Sequence, residues 1–532
     1  MVRSHQVVPA FIAILALTAS MADARTLKWA RSGDALTLDP HAQNEGPTHN
    51  FNHHIYEPLV LRTDKGELLP TLAVSWRTLP NDPSLWEFKL RPNVKYHNAN
   101  PFNADDVVFS LDRARQPSSD MKGLLSSVDT ITKADDLTVH IKTKGPNPLL
   151  VNQLTNLFIM DKEWSEQNNV QKVQDFKNKE ENFAVRNANG TGAFQLVSRE
   201  PDVRTVMKRN DSYWGRGEFP VEVTEIIYTP IKADATRVAA LLSGDVDFVQ
   251  DVPVQDIERL RGTQNTRVNV GPENRSIFFG MDVGSKELRS SDVKGKNPFA
   301  DRRVRQAMNM AINREAIQRV VMRGQSAPSG VIMPPFINGY AKDLDKWPQP
   351  NVAEAKKLVS AAGYPSGFSV SLNCPNDRYV NDEPICQAAV GMLGQIGIKV
   401  NLISQSKSLH FPLIQKNPPE TDLFLLGWGV PTFDSEYVFS YLYHTRGDKL
   451  GGWNATGFSN PEADKMIQSL SSEVDTTKRN AAIRKLWDMA IDETIYLAIH
   501  NQVLAYAMKA NIDIPVHPEN QPNMKFVAFK QM

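Results

Sequence analysis

The sequence predicts a mixed α/β protein with more than one lobe. Strand-like and helix-like segments alternate between residues 353 and 426, which indicates a parallel or mixed sheet with helices packed on it. The chain has 532 residues, enough for roughly three to four domains of ordinary size. Apolar residues make up 41 % and charged residues 23 % of the chain. That composition is typical of a folded globular protein and excludes extended disorder.

Period-two alternation and short β-rich runs predict the strands. They lie at 27–30, 85–90, 137–142, 205–208, 225–228, near 248, and at 276–282, 368–372, 399–403 and 422–426. Apolar residues three or four positions apart predict the helices. These are 49–61 (ending near Pro58), a helix from 104, and 233–243, 302–321, 353–362, 385–396 and 436–443.

Local signals indicate where individual helices begin and end. Asn103 is a suitable N-cap for the helix that follows it, and Asp105 and Asp106 favour its positive end. Gly363 follows the helix at 353–362 as a C-terminal stop signal. Residues 161–188 are polar and charged, which predicts an exposed helix and a linker.

The charge balance excludes several classes of protein. Lys and Arg number 60, and Asp and Glu also number 60. A neutral chain has no general electrostatic attraction to nucleic acid or to anionic lipid. The mean hydropathy of −0.38 excludes a membrane protein with many spans.

Residues 1–24 have the layout of a secretory signal peptide. Arg3 supplies a basic start, an apolar run covers 7–19, and Ala22 and Ala24 give the small-x-small pattern of a cleavage site. The run is too short to span a bilayer as a helix. We expect cleavage after Ala24 and export; a buried N-terminal helix is the alternative.

The chain has two cysteines, Cys374 and Cys386. Two thiols in an exported protein are expected to form a disulfide, which would fix residues 375–385 as a small loop. Two buried free thiols are the alternative.

Motifs of the common catalytic classes are missing from the sequence. It contains no P-loop, no zinc-protease His-Glu-x-x-His, no nucleophile elbow and no Cys-x-x-Cys. Residues 189–192 (NGTG) resemble half of a dinucleotide-binding loop, and we interpret them as a turn. A secreted hydrolase stays a lesser alternative, because catalytic triads are assembled from distant residues.

Three histidines lie close together in the sequence. His49 and His53 would share a helix face, with His54 beside them. Neutral imidazoles at this spacing can bind a metal ion, but no carboxylate at a matching offset completes a site. Packing or solvated histidines are the simpler interpretation, and we predict no metal and no cofactor.

A series of motifs resembles one family of binding proteins. In chain order they are 72–76 (LAVSW), 86–97 (WEFKLRPNVKYH), 101–110 (PFNADDVVFS), 189–194 (NGTGAF), 209–214 (RNDSYW), 303–309 (RVRQAMN), 361–364 (AAGY), 397–400 (GIKV) and 422–428 (DLFLLGW). The sequence is similar to the family 5 extracellular solute-binding proteins, the dipeptide and oligopeptide receptors of ABC importers. The resemblance covers nearly the whole chain after residue 24.

The resemblance implies a bilobed periplasmic-binding-protein fold. Two lobes with mixed sheets would be joined by a hinge of two crossing segments, near 276–282 and 495–502, and would close over a ligand. Lobe I would comprise 25–60, 187–280 and 497–532, with an extra subdomain at 61–186. Lobe II would comprise 281–496.

The resemblance also implies ligand-binding residues. In peptide-binding relatives an Asp after the Gly-Trp motif holds the ligand ammonium, which points to Asp434; capping of the following helix is its alternative role. An Arg after the strand that ends near 373 would bind the ligand carboxylate, which points to Arg378; a surface Arg is the alternative. Trp428 and Trp453 would wall side-chain pockets, or else pack in the core.

The expected function is therefore capture of a short peptide in the periplasm. A monomeric receptor would deliver the peptide to permease subunits in the inner membrane, without catalysis and without nucleic acid. The rival is a receptor for a non-peptide ligand such as a nickel chelate, haem, glutathione, an opine or a sugar.

Overall fold

A computed structural model describes residues 25–530, apart from residues 177, 417, 448 and 449. The predicted signal peptide lies outside the described residues. The strands are β1 Thr26–Arg31, β2 Val60–Arg62, β3 Leu68–Pro70, β4 Ala73–Leu79, β5 Asp82–Leu90, β6 Val128–Asp135, β7 Thr138–Thr143, β8 Phe194–Glu200, β9 Arg204–Arg209, β10 Glu225–Pro230, β11 Phe248–Val249, β12 Thr266–Met281, β13 Ser326–Pro328, β14 Phe368–Pro375, β15 Ile398–Gln405, β16 Leu423–Trp428, β17 Tyr496–Lys509, β18 Ile512–Asp513 and β19 Ala528–Phe529.

The helices lie between these strands and beside them. They are α1 Gly46–Asn52, α2 Ala104–Ala114, α3 Leu150–Gln153, α4 Lys162–Gln167, α5 Asp234–Ser243, α6 Ile257–Arg261, α7 Arg302–Ala311, α8 Arg314–Ala316, α9 Val352–Ala361, α10 Asp382–Gly394, α11 Lys407–Gln415, α12 Ser435–Val438, α13 Pro461–Leu470 and α14 Thr476–Glu493.

Two long antiparallel strands, β12 and β17, run through the middle of a mixed sheet. The sheet has 11 strands among the described residues, in the order β15-β14-β16-β12-β17-β11-β1-β10-β9-β8, with β13 on β17. The register between β12 and β17 is interrupted between Pro272 and Ser276. The two predicted crossing segments fall in this strand pair.

Each end of the β12–β17 pair packs in a different hydrophobic core. Ile277 and Leu497 pack in a core with residues of α7, α9 and α10. Tyr506 and Met508 pack in a second core with Trp29 of β1. The interrupted register therefore lies where two packed bodies meet, as a hinge requires. The lobe boundaries given above stay a prediction.

A separate antiparallel sheet, β4-β5-β7-β6, has its own core and carries α2. Asn103 caps α2 as predicted: its side chain accepts a hydrogen bond of 2.7 Å from the Asp105 N–H. The Asp106 carboxylate in turn accepts one of 2.9 Å from the Asn103 N–H. This reciprocal capping fixes the start of the helix.

Two predicted helices are shorter than expected, and a third has the expected length. The helix at 49–61 ends at Asn52, and β2 begins at Val60. The helix at 302–321 ends at Ala311, because the Asn313 side chain accepts the Ala316 N–H at 2.8 Å and starts a new turn. That turn continues as a π-helix. The predicted helix at 436–443 is helical throughout, as α12 followed by a π-helical turn.

Candidate ligand-binding cavity

A cavity of about 620 Å³ lies where the register of β12 is interrupted. One wall comes from the residues before and within α1 and from the chain after β17. The facing wall comes from the β14–α10 junction, the end of β16 and the segment after it. The lining residues are 44–46, His49, Asn156, 273–275, Arg378, Tyr379, Phe411, Gln415, 426–431, Tyr437, Trp453, Pro518, Glu519 and Gln521.

Two arginines flank one tyrosine on the cavity wall. The guanidinium carbon of Arg378 lies 4.9 Å from the centre of the Tyr379 ring, and that of Arg275 lies 5.8 Å from it. Arg275 donates a hydrogen bond of 3.0 Å to Glu273, which neutralises it. The guanidinium of Arg378 has no hydrogen bond or ion pair with any described residue. Arg378 is exposed to solvent where it lines the cavity; partial desolvation and then the charge of Arg275 lower its pKa. The unpaired guanidinium of Arg378 is therefore available to bind an anionic group.

The local structure around the disulfide positions Arg378. Cys374, in β14, and Cys386, in α10, form the predicted disulfide. Inside this loop the Asp382 carboxylate accepts hydrogen bonds of 3.0 Å from the N–H groups of Arg378 and Tyr379. The backbone that carries the cavity arginine is therefore fixed by a covalent link and by two charge-assisted hydrogen bonds.

Tyr379 also ties this loop to β16. Its hydroxyl donates a hydrogen bond of 3.2 Å to the carbonyl oxygen of Gly427. A Cβ at position 427 would lie 2.5 Å from the Tyr379 ring, so the close approach requires glycine. The glycine of the Gly-Trp motif thus lets the Tyr379 ring lie directly against the backbone of β16.

An aromatic cluster forms another part of the wall. The ring centres of Trp428 and Trp453 are 5.6 Å apart, and Tyr437 lies 5.7 Å from Trp428. Phe411 lies 5.8 Å from Trp453. These rings present apolar surface that can pack against a ligand side chain. Trp428 and Trp453 both line the cavity and also pack in a core, so they combine the two roles considered for them.

Asp434 lies away from this cavity. Its carboxylate accepts hydrogen bonds of 2.6 and 2.7 Å from the guanidinium of Arg479, and one of 2.8 Å from Asn338. It also caps α12 by accepting the Glu436 N–H at 2.9 Å. The structure thus shows the alternative role considered for Asp434, and its carboxylate is already neutralised by a buried arginine. Of the four predicted ligand residues, Arg378, Trp428 and Trp453 share the cavity and Asp434 does not.

Three acidic side chains line the cavity, and sequence reasoning singled out none of them. Glu45 accepts a hydrogen bond of 2.9 Å from the N–H of Thr48 and caps α1. Glu273 is bound to Arg275. Glu519 lies 3.8 Å from the Nε of Arg62. Burial raises the pKa of both Glu45 and Glu519, because it disfavours the charged form.

The three clustered histidines have separate partners. The Nε2 of His49 pairs with the side-chain oxygen of Asn44 at 3.0 Å. His53 pairs with the carbonyl oxygen of Pro522 at 3.2 Å, and His54 with that of Phe51 at 3.2 Å. All three are buried, and burial lowers their pKa values. The arrangement supports the packing interpretation.

The fold and the cavity define a bilobed binding protein that encloses a small ligand between two bodies. The model of the family "Bacterial extracellular solute-binding proteins, family 5 Middle" matches residues 67–449, so the chain belongs to this family. The expected fold is confirmed by structural neighbours that are bilobed periplasmic binding proteins.

The ligands given for similar proteins include glutathione and a peptide. The glutathione-binding protein GsiB of Pectobacterium atrosepticum is 26 % identical over 485 residues, which cover 89 % of this chain and 88 % of that protein. The substrate-binding protein CtaP of Listeria monocytogenes has a TM-score of 0.83 at 18 % identity, covering 96 % of this chain and all of that one. DppA of Helicobacter pylori, in complex with the peptide STSA, has a TM-score of 0.73 at 21 % identity, covering 95 % of this chain and 98 % of that one.

Family membership gives the general role of the chain. It is a substrate-binding protein of the ABC-transporter class, and the family and its relatives are binding proteins rather than enzymes. Family 5 proteins are periplasmic. Among the described residues, no helix has the length and apolarity needed to cross a membrane.

Proposed function

We propose that this protein captures short peptides in the periplasm and delivers them to the permease of an ABC importer. The observation that carries the proposal is the guanidinium of Arg378. It lines the cavity and has no partner among the described residues, so it is available for the carboxylate of a ligand. A bidentate fork of N–H donors matches the two oxygens of a carboxylate.

The rest of the cavity suits a peptide. Its volume of about 620 Å³ exceeds that of a single amino acid and lies within the range of small-molecule sites. The end of β16 and the interrupted part of β12 expose backbone to the cavity at 273–275 and 426–431, where peptide amides can find hydrogen-bonding partners. The aromatic cluster of Trp428, Tyr437 and Trp453 offers a wall for an apolar side chain.

The relatives support this ligand class. GsiB is named for glutathione, which is itself a tripeptide with two carboxylates and one ammonium group. The structural neighbours include a protein bound to the peptide STSA and a dipeptide-binding protein bound to Met-Leu. Glutathione, named above as a rival ligand, shares the ammonium and carboxylate groups of a peptide, so it stays the main alternative to ordinary peptides of two to five residues.

Export and transport complete the proposal. Residues 1–24 would direct the chain to the periplasm and be removed there. The receptor would act as a monomer, and the energy for import would come from the ATPase of the transporter. The cleavage site is checked by measuring the intact mass of protein from the periplasm, which should equal that of a chain beginning at Arg25.

Mass spectrometry of released ligand tests the function. The protein is purified from its native host without refolding, denatured, and the released small molecules are identified. Peptides of two to five residues support the proposal, whereas glutathione would favour the rival ligand and leave the role of receptor intact. A nickel chelate, haem, an opine or a sugar would contradict it. Incubation with a peptide mixture tests the hydrolase alternative, since a receptor returns the peptides uncleaved.

A further inference from the structure

Glu519 differs from the other acidic side chains of the cavity because its carboxylate accepts no hydrogen bond from any described residue. Glu45 and Glu273 both accept hydrogen bonds within the protein. Among the described residues, Glu519 has one ion-pair partner, the Nε of Arg62 at 3.8 Å, which is beyond hydrogen-bonding distance. Only 11 % of its side chain is exposed. The carboxylate keeps limited access to water and has no donor from the protein, so a bound molecule can supply the hydrogen bonds that the protein does not.

Arg62 is held in place by other partners. It donates hydrogen bonds of 3.1 Å to the carbonyl oxygen of Gly66 and of 3.0 Å to the side chain of Asn152. Its guanidinium carbon also lies 3.7 Å from the centre of the Phe433 ring. These contacts fix the guanidinium and leave its Nε without an acceptor. Arg62 therefore provides a positive potential near Glu519 but does not satisfy its oxygens.

Glu519 stands at the junction of two cavities. It lines the main cavity and also a second cavity of about 340 Å³. The two cavities share Glu519 with Asn156 and Gln521, and the second has apolar walls that include Leu61 and Phe526. A group bound to Glu519 is reachable from the main cavity, and a substituent next to that group can enter the second one.

We infer that Glu519 binds the ammonium group of the ligand, while Arg378 binds its carboxylate. This inference rests on the proposed function, because it assigns the second charge of a zwitterionic peptide. An ammonium group carries three donors and supplies the hydrogen bonds that Glu519 lacks. Asp434, which the family resemblance implied for this role, already has Arg479 as its counter-ion. The second cavity then receives the side chain of the first ligand residue.

Calorimetric titration of two matched pairs of ligands tests the assignment. The pairs are trialanine with N-acetyl-trialanine, and glutathione with glutaryl-cysteinylglycine; the second member of each pair lacks the ammonium group. Wild-type protein is compared with Glu519→Gln and with Glu67→Gln. Glu67 is exposed in the turn between β2 and β3 and lines neither cavity, so its variant controls for loss of the same charge.

The wild type should bind at least one amino-bearing ligand about 10- to 100-fold more tightly than its partner, as expected for a charge-assisted hydrogen bond. Glu519→Gln should abolish this difference and Glu67→Gln should retain it. Thermal unfolding of the variants confirms that the isosteric change leaves the fold intact. A Glu519→Gln variant that still prefers the amino form overturns the inference alone. A wild type that binds none of the four ligands overturns the proposed function as well.

Discussion

The guanidinium carbon of Arg62 lies 3.7 Å from the centre of the Phe433 ring, although the two residues are far apart in the chain. Phe433 has a φ of +53°, a left-handed conformation that is uncommon for an aromatic residue. Its carbonyl oxygen accepts a hydrogen bond of 2.9 Å from Asn338, and its ring lies 5.4 Å from that of Phe336. These contacts hold the strained backbone in place. They join the β2–β3 hairpin to the loop that follows the cavity residue Trp428.

Phe433→Ala should speed the release of bound ligand. The change removes a buried cation–π contact, worth about 2 kcal/mol when it is desolvated. That contact links two segments that surround the cavity, so its loss favours opening. We expect the dissociation rate of trialanine or glutathione to rise by about 10-fold, measured by stopped-flow tryptophan fluorescence. Phe183→Ala, at an exposed position, is the control. An unchanged dissociation rate would show that the contact does not restrain opening.

Asp434→Asn should destabilise the fold. The change leaves Arg479, whose side chain is 6 % exposed, as a buried charge without its carboxylate. Breaking such a pair costs about 3–5 kcal/mol, measured as the free energy of unfolding in urea. Asp343→Asn is a matched control, since its pair with Arg484 is exposed and should contribute less than about 1 kcal/mol. Unchanged stability together with weaker peptide binding would instead place Asp434 in contact with the ligand.

Arg378→Gln should weaken binding without destabilising the protein. The guanidinium has no partner among the described residues, so its removal breaks no ion pair in the empty protein. We expect the affinity for trialanine to fall by about 10- to 100-fold, the effect of losing a hydrogen bond between charged groups. Trialaninamide, which has no carboxylate, should bind the wild type and the variant equally. If the acid and the amide lose affinity to the same extent, Arg378 does not recognise the carboxylate.

The free energy of unfolding should fall as the pH decreases from about 6.5 toward about 4. Burial lowers the pKa to about 4 for a group of histidines: His41, His49, His54, His97, His410 and His517. The unfolded chain protonates these side chains below about pH 6.5, whereas the folded protein takes up the protons only near pH 4, so acid favours unfolding. Glu45 and Glu519 act in the opposite sense, since their pKa values are raised.

Urea denaturation at about pH 7 and about pH 5 measures this change. His410→Gln should make the pH dependence shallower, because His410 is buried and its Nε2 pairs with the carbonyl oxygen of Leu425 at 2.9 Å. Equal stability at the two pH values would mean that the buried histidines titrate normally.

Much of the sheet could be predicted because its strands have a local pattern. The segments β14 and β15 alternate apolar and polar residues and β16 is an apolar run, and each was predicted within a few residues of its observed position. The helices α13 and α14 were not predicted. In α14 the buried positions include Arg479 as well as Ile483, Leu486 and Trp487, so its apolar pattern is diluted by a charged residue.

The charged part of the site depends on contacts between distant segments. Trp428 could be proposed from the motif that contains it, Arg378 from its place after a predicted strand, and Trp453 as an aromatic residue suited to a pocket wall. The neutralisation of Asp434 by Arg479 could not be predicted. Arg479 lies on α14, far along the chain from the Gly-Trp motif, and nothing in the sequence near that motif indicates the contact. Glu519 lies in an irregular segment between β18 and β19, where no periodicity marks a functional residue. That the Glu519 carboxylate has no hydrogen-bond donor can be recognised only from the three-dimensional structure.

The disulfide between Cys374 and Cys386 has a consequence for the timing of ligand capture. The bond closes the loop that presents Arg378, and such bonds form in oxidising compartments and not in the reducing cytosol. A newly made, reduced chain would hold its cavity arginine on a looser loop. With export as proposed above, full affinity would arise only after secretion, so the proposed receptor would bind its ligand weakly inside the cell that makes it.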